Sequence, residues 1–155
     1  MDNIAQPLTP PAGTLLGIDV GSKRIGLSFS NTGQTLAHPL PALARTTWTH
    51  DQNLFQQIIE EHNISAFVIG LPLSLDGSAG RAVDSVRSYA DLLTKTFPLP
   101  LFYQDERLTT VQAERDIFTA RQGRQKRMSK KDSTHYVDSA AATLILQTFL
   151  DRMKP

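Results

Sequence analysis

The sequence predicts a single α/β domain with a five-stranded mixed sheet and helices on both faces. Three strand-like segments joined by short turns occupy residues 14–40, and helical and strand-like segments alternate after residue 49. No internal repeat or linker divides the 155 residues, a length close to that of a typical single domain. Because a hairpin group that leads into strand–helix–strand crossovers combines antiparallel with parallel pairing, we expect a mixed sheet.

The first three strands are predicted from apolar patterning. Residues 14–20 (TLLGIDV) form an almost continuous apolar run, which is typical of a central strand buried on both faces. Residues 24–30 alternate with period two, so we expect a half-buried strand antiparallel to the first. After a turn at 31–34, residues 35–40 read as a third strand, which Pro39 should keep at a sheet edge or end.

The rest of the chain alternates between helical spacing and short apolar runs. Pro98 should end the second helix, and Thr109 to Gln112 has the spacing of a capping box. The predicted elements are, in order, a helix from about Thr49 to Asn63, a strand at 66–71, a helix with Val83, Val86, Ala90, Leu93 and Phe97 on one face, a strand at 99–107, a helix from Thr109 to about Gly123 and a last helix over 137–153.

Composition excludes several classes of protein. The sequence contains no cysteine, which excludes disulfide scaffolds, thiolate zinc sites and thiol nucleophiles and is consistent with a cytoplasmic location. No apolar run approaches the roughly 20 residues that span a bilayer, so we expect no membrane association. Residues 1–13 carry an acid at position 2 and three prolines, and we interpret them as a disordered leader before a domain at 14–153.

Basic residues are concentrated in one segment. The net charge is only +1, yet the segment from Arg121 to Lys131 holds six basic residues and no acid. Such a run is commonly a solvated loop. It gains a function in binding phosphates only if the rest of the chain provides a reason to hold a nucleic acid.

Four acids lie where strands end or the last helix begins. Asp19 lies in the most apolar strand, Asp105 and Glu106 end the fifth strand, and Asp138 precedes a run of small residues in the last helix. A buried carboxylate costs several kcal/mol unless it is paired or binds a metal. Because ligands collect at the carboxyl ends of strands in such sheets, these acids could converge. Two magnesium ions held by converging carboxylates would support phosphodiester hydrolysis.

Structural roles remain open for some of these acids. Asp138 could be a first-turn acid favoured by the helix dipole, and Asp105 or Glu106 could pair with Arg107. In a regular strand Asp105 and Glu106 point to opposite faces, so only one of them should enter a metal site. The residues alone do not decide which one.

Four segments of the chain resemble one known family. GIDVGSKRIGLSFS, VIGLPLSLDG, YQDERLTTVQA and VDSAAATLILQ, in this order and spacing, closely resemble the YqgF/RuvX family over about residues 14–152. The resemblance implies a ribonuclease H-like fold and a nuclease, described either as maturing the 5′ end of small-subunit ribosomal RNA or as resolving Holliday junctions. It places the family's acids on Asp19, on the Asp105-Glu106 pair with Glu106 the preferred ligand, and on Asp138.

Together these observations predict a nuclease that depends on Mg²⁺ or Mn²⁺ and acts on structured RNA or branched DNA. Asp19, Glu106 and Asp138 would hold the metal, with Asp105 the alternative at the pair. Two rival functions are a nucleic-acid-binding module with little turnover and an ATPase or kinase fragment, and a homodimer is possible if the substrate is a four-way junction. The expected phosphate contacts are Lys23, Arg107, Arg124, Lys126, Arg127, Lys130 and Lys131.

Overall fold

The computed structural model describes residues 9–72, 80–106 and 139–154. Within them lie five strands and three helices. In chain order these are β1 (Thr14–Val20), β2 (Arg24–Ser30), β3 (Ala37–Ala44), α1 (Trp48–His62), β4 (Ile64–Leu71), α2 (Arg81–Thr96), β5 (Leu101–Asp105) and α3 (Ala140–Met153).

The five strands form one mixed sheet in the order β3-β2-β1-β4-β5. β1 pairs antiparallel with β2, which pairs antiparallel with β3. On its other side β1 pairs parallel with β4, and β4 pairs parallel with β5. The predicted mixed α/β sheet is therefore confirmed, and the carboxyl ends of β1, β4 and β5 meet at one edge.

Helices cover both faces of the sheet. Alternate residues of the central strands enter two separate apolar cores, because neighbouring side chains of a strand point to opposite faces. One core contains Leu16 and Ile18 of β1 with apolar residues of α1 and α2. The other contains Leu15 of β1 and packs against Ile145 and Leu146 of α3. The face on which a strand residue lies can therefore be read from its position in the alternation.

α3 lies unusually close to the central strands. The Ser28 hydroxyl of β2 donates a hydrogen bond of 2.8 Å to the Ala142 carbonyl of α3. A Cβ at Gly17 of β1 would lie 2.8 Å from the Leu146 Cβ and 3.0 Å from the Ala142 oxygen. The glycine and the predicted small residues of the last helix thus permit this close packing.

Several predicted boundaries differ from the structure. β3 runs to Ala44, past both Pro39 and Pro41, because an edge strand does not need every N–H for pairing. β4 begins at Ile64, two residues before the predicted start, and β5 ends at Asp105 instead of residue 107. The predicted helix over 109–123 and the basic segment 121–131 lie outside the described residues.

The last residues of the predicted leader contact the domain. The Gln34 side-chain amide donates hydrogen bonds to the carbonyl oxygens of Pro11, at 2.7 Å, and Gly13, at 2.9 Å. Residues 1–8 lie outside the described part of the chain, and the domain boundary at 13/14 stays a prediction. In the described ranges, no helix is long and apolar enough to cross a membrane.

Candidate active site

A pocket of about 280 Å³ opens at the edge where the parallel strands end. At about 30 Å³ for each water in the liquid, its volume is equivalent to roughly nine waters. The pocket can hold cations with their water, and it is too small to enclose a polymer. Its lining comprises Asp19, Val20, Gly21, Ser22, Pro72, Ala82, Ser85, Val86 and Glu106.

Asp19 enters the pocket from the end of β1. It is the second-last residue of the strand and is half-buried, whereas the five residues before it are buried. It pairs with Gly26 of β2 and shares the strand face of Leu15 and Gly17, which is the face covered by α3. The structure therefore exposes the Asp19 carboxylate to a pocket and does not enclose it in the core, which lowers the desolvation cost expected from the sequence.

Glu106 reaches the same pocket from the end of β5. Its carboxylate lies above Gly70 of β4, where an added Cβ would be 3.0 Å from the Glu106 Oε2. The same Cβ would be 2.5 Å from the Ile145 Cδ1 of α3, so Glu106 lies on the face that α3 covers. Asp19 and Glu106 thus approach one pocket from the same side of the sheet, on strands separated by β4.

Asp105 lies on the opposite face of the sheet from Glu106. Leu101 and Tyr103 of β5 pack in the core shared with α1 and α2, and Asp105 is the next residue in that series. Phe102 lies in the other core, and the Gln104 amide oxygen accepts a hydrogen bond of 2.8 Å from Arg152 of α3. The pocket lining includes Glu106 and does not include Asp105. This geometry favours Glu106 over Asp105 as the acid that acts with Asp19.

The third predicted acid, Asp138, lies outside the described residues, but the residue after it is firmly held. Ser139 is fully buried, and its Oγ accepts a hydrogen bond of 3.0 Å from the Leu27 N–H of β2. Its carbonyl accepts hydrogen bonds from the backbone N–H of Thr143, at 3.0 Å, and from the Thr143 hydroxyl, at 2.9 Å. Leu27 pairs with Ile18, the neighbour of Asp19, so the start of α3 is attached beside the end of β1.

Among the predicted phosphate contacts, Lys23 is the one within the described ranges. It is exposed and lies in the turn between β1 and β2, next to Ser22 of the pocket lining. The other six predicted contacts lie outside the described residues: Arg107, Arg124, Lys126, Arg127, Lys130 and Lys131.

The chemistry of the pocket suits a hard divalent cation. Its two carboxylates and the Ser22 hydroxyl offer oxygen donors, which Mg²⁺ and Mn²⁺ prefer. Within residues 9–72, 80–106 and 139–154, no group of three or more acidic, histidine or cysteine residues forms a metal site. A complete three-carboxylate site therefore needs a further acid in addition to Asp19 and Glu106.

Two residues that shape the site were not identified from the sequence. Gly70 appeared as part of an apolar run, although a glycine inside a strand often indicates a close approach by another group. Ser139 appeared as one of several small residues before the last helix, and nothing local indicated its bond to Leu27 across 112 positions of sequence.

Two of the solved structures with similar folds are resolvases. Thermus thermophilus RuvC in complex with a Holliday junction substrate has a TM-score of 0.53 at 12% identity, with coverage of 90% of this chain and 96% of that one. The fowlpox virus resolvase, solved with Holliday junction DNA, has a TM-score of 0.59 at 9% identity, with coverage of 92% and 99%. At this level of identity the comparison establishes the fold, which in RuvC-like resolvases is ribonuclease H-like.

Other proteins are more similar to this chain in sequence than these solved structures are. A protein of Agrobacterium fabrum named "Putative pre-16S rRNA nuclease" is 39% identical over 153 residues, which cover 99% of this chain and 92% of that protein. A protein of Brucella canis with the same name is 38% identical over 146 residues, which cover 94% and 86%.

The fold and these relatives define a nuclease, a hydrolase of phosphodiester bonds. A family model described as "RuvX: Holliday junction resolvase" matches residues 13–152. The chain belongs to the RuvX family, as the four sequence segments predicted.

Proposed function

We propose that this protein is a divalent-metal-dependent endonuclease that processes the 5′ end of precursor 16S ribosomal RNA. The observation that carries the proposal is the convergence of Asp19 and Glu106 on one pocket at the carboxyl edge of the sheet. The name shared by its sequence relatives supports the choice of RNA substrate. Such a function belongs in the cytoplasm, where precursor ribosomal RNA is found in bacteria.

Asp19, Glu106 and Asp138 would hold Mg²⁺ or Mn²⁺. The hydrogen bond from Leu27 to Ser139 supports Asp138 as the third ligand, because Asp138 directly precedes Ser139 in the chain. Bound divalent cations would activate water and stabilise the departing oxygen of a phosphodiester. Asp19 and Glu106 place negative charge in the pocket, so a phosphate can approach them closely only when cations offset that charge.

Basic residues outside the pocket would hold the nucleic acid backbone. Lys23 lies on the turn next to the pocket lining and would contact a phosphate near the cleaved bond. Arg107 and the basic segment 121–131 would contact phosphates farther along the strand. Contacts of this type position a nucleic acid without reading its bases, so recognition would depend on the structure of the RNA.

Resolution of Holliday junctions is the second candidate, and the family description favours it. A four-way junction is cut symmetrically, which requires two active sites and therefore a homodimer. A dimer in solution that cuts a junction at paired positions would support this function over RNA processing.

A cleavage panel tests the proposal. Purified protein is incubated with precursor 16S RNA fragments, single strands, duplexes and four-way junctions, with magnesium or manganese. The proposal expects metal-dependent cleavage of the precursor near the mature 5′ end and slower cleavage of the other substrates. Preferred cleavage of junctions would support the second candidate, and tight binding without cleavage of any substrate would indicate a binding module.

A thermal-shift measurement distinguishes the nuclease from an ATPase or kinase. A ligand that prefers the folded protein raises its melting temperature. We expect Mg²⁺ or Mn²⁺ to raise it in the absence of ATP. An increase with ATP alone would instead support an ATPase or kinase.

A further inference from the structure

Arg45 contacts the turn that follows Asp19, although it does not line the pocket. Its Nη1 donates a hydrogen bond of 2.9 Å to the Gly21 carbonyl, and its backbone N–H donates one of 2.9 Å to the Lys23 carbonyl. The residue that directly follows β3 therefore holds both sides of the turn between β1 and β2.

The held turn forms one wall of the pocket. Gly21 and Ser22 both line it, and Gly21 is two residues from Asp19. The Gly21 N–H donates a hydrogen bond of 2.9 Å to the Arg24 carbonyl. An added Cβ at Gly21 would lie 2.6 Å from that same oxygen, so the turn is compact and tolerates no side chain there. A shift of this turn would move the end of β1 and the Asp19 carboxylate with it.

Aromatic residues hold the Arg45 side chain in place. Its guanidinium carbon lies 4.9 Å from the centroid of the Tyr89 ring, which is favourable cation–π geometry. The Trp48 ring meets the Tyr89 ring edge-on, with centroids 5.6 Å apart and an angle of 90° between the ring planes. Tyr89 belongs to α2 and Trp48 to α1. The two helices that cover the face of the sheet opposite α3 therefore both help to fix the Arg45 guanidinium.

A buried carboxylate fixes the Tyr89 ring. The Tyr89 hydroxyl donates a hydrogen bond of 3.0 Å to the Asp51 Oδ2, and Asp51 is only 3% exposed. Burial raises the pKa of Tyr89 well above its usual range, and the Asp51 charge and hydrogen bond act in the same direction. Tyr89 therefore remains a neutral hydroxyl donor at neutral pH, as its hydrogen bond to Asp51 requires.

We propose that Arg45 is a positioning residue of the active site, acting through the Gly21 carbonyl to fix the turn that places Asp19. Tyr89, held by Asp51, keeps the Arg45 side chain in place. This inference rests on the proposed function, since it assigns Arg45 a role in that same site. The alternative role for an arginine near this pocket is direct contact with a substrate phosphate.

Kinetics separates the two roles. Replacement of Arg45 by alanine should lower kcat by about tenfold and leave KM within about twofold, because misplacement of a reacting group affects the transition state more than binding. The concentration of Mn²⁺ that gives half of the maximal thermal stabilisation should rise several-fold. A raised KM with unchanged kcat would assign Arg45 to the substrate phosphate and overturn the inference.

Two further variants and a control sharpen this test. Arg45→Lys keeps a cation that can donate to the Gly21 carbonyl, and it should recover most of the kcat that Arg45→Ala loses. Tyr89→Leu should lower kcat, and combining it with Arg45→Ala should add little, because both changes break one series of interactions. Lys95→Ala removes an exposed charge at the far end of α2, about 20 Å along the helix from Ala82, and should change none of these quantities.

Hydrogen exchange tests the inference independently of catalysis. In Arg45→Ala, amides of residues 19–24 should exchange faster than in the wild type, while amides of β4 should be unchanged. Unchanged exchange at 19–24 would overturn the inference whatever the cleavage assay shows. If exchange increases but the wild type cleaves no nucleic acid, the proposed function fails, and the effect of Arg45 on the turn still holds.

Discussion

Gly70 and Glu106 are complementary: the carboxylate of Glu106 occupies the space that a side chain at position 70 would fill. An added Cβ would lie 3.0 Å from the Glu106 Oε2 and 3.2 Å from its carboxyl carbon. The glycine of β4 therefore permits the acid after β5 to lie over the sheet and share a pocket with Asp19. This relationship connects the backbone of a central strand to the placement of a candidate metal ligand.

Gly70→Ala should displace Glu106 and lower the cleavage rate by about tenfold or more. The added methyl would also press on Ile145 Cδ1 at 2.5 Å, so some loss of stability, about 1–3 kcal/mol, is expected. Ile145→Val removes that Cδ1 atom. The double variant should recover stability without recovering activity, as measured by denaturant unfolding and by the cleavage rate.

A matched glycine provides the control for that experiment. Gly33 lies in the turn between β2 and β3, where an added Cβ would be 3.8 Å from the Asn31 side-chain nitrogen, an ordinary van der Waals distance. Gly33→Ala should leave cleavage unchanged. Full recovery of activity in the Gly70→Ala, Ile145→Val double variant would contradict the role given to Gly70, because it would show that only packing against Ile145 had been disturbed.

The adjacent acids should differ in importance. Glu106→Gln should slow cleavage at least about tenfold more than Asp105→Asn, a difference equivalent to roughly 1.4 kcal/mol in the activation barrier. The reason is that Glu106 lines the pocket with Asp19, whereas Asp105 continues the opposite alternation of β5. Single-turnover rates at saturating metal provide the comparison. A larger loss for Asp105→Asn would show that the acid on the other face carries the chemistry.

The basic segment should contribute affinity without contributing to the chemical step. Neutralising Arg124, Lys126, Arg127, Lys130 and Lys131 should weaken binding about equally for substrates of different sequence. The slope of log affinity against log salt should flatten by about 0.7 to 0.9 for each phosphate that the variant no longer neutralises. Turnover at saturating substrate should change much less. Binding curves at several salt concentrations test this prediction. An unchanged affinity and slope would show that the segment does not bind phosphates and is a solvated loop.

The raised pKa of Tyr89 predicts that the folded protein loses stability at alkaline pH. Its pKa is raised in the folded protein, mainly by burial, while the unfolded chain should titrate near 10. The stabilising contribution is therefore complete below about pH 10 and declines as pH rises above it, by up to about 1.4 kcal/mol per pH unit. Tyr89→Phe should remove this part of the decline. Unfolding free energies measured between pH 8 and 11 would contradict the assignment if both proteins lost stability equally.

The sequence was sufficient for β1 and β2, the strands on either side of the turn that lines the pocket, because their signals are local. The apolar run over 14–20 and the alternation over 24–30 predicted β1 and β2 with the observed boundaries. It was also predictable that Asp105 and Glu106 point to opposite faces of the sheet. The residues alone did not settle the choice between the two acids, and the family resemblance favoured Glu106. That choice depends on which face of the sheet α3 covers and on the space above Gly70, both of which arise from packing between distant segments.

Contacts across the sheet account for what the sequence did not predict. Arg45 showed no signal in sequence, because its partners Gly21 and Tyr89 lie 24 and 44 positions away. Pro39 was expected to keep β3 at a sheet edge or to end it. The edge position is confirmed, and the strand continues past the proline to Ala44. Such features depend on which helices and strands pack against each other, and this cannot be predicted from local composition.

The metal-dependent active site is tested most directly by the rates at which wild type and Asp19→Asn cleave precursor 16S RNA with magnesium or manganese. The substitution keeps the shape of the side chain and removes one charge from the pocket. We predict that it lowers the rate by about 100-fold or more, because a ligand of the cation is removed. The circular dichroism spectrum should be unchanged, and the melting temperature without metal should be equal or higher. A wild-type rate in the purified Asp19→Asn protein, with contaminating nuclease excluded, would show that Asp19 is not a metal ligand needed for cleavage.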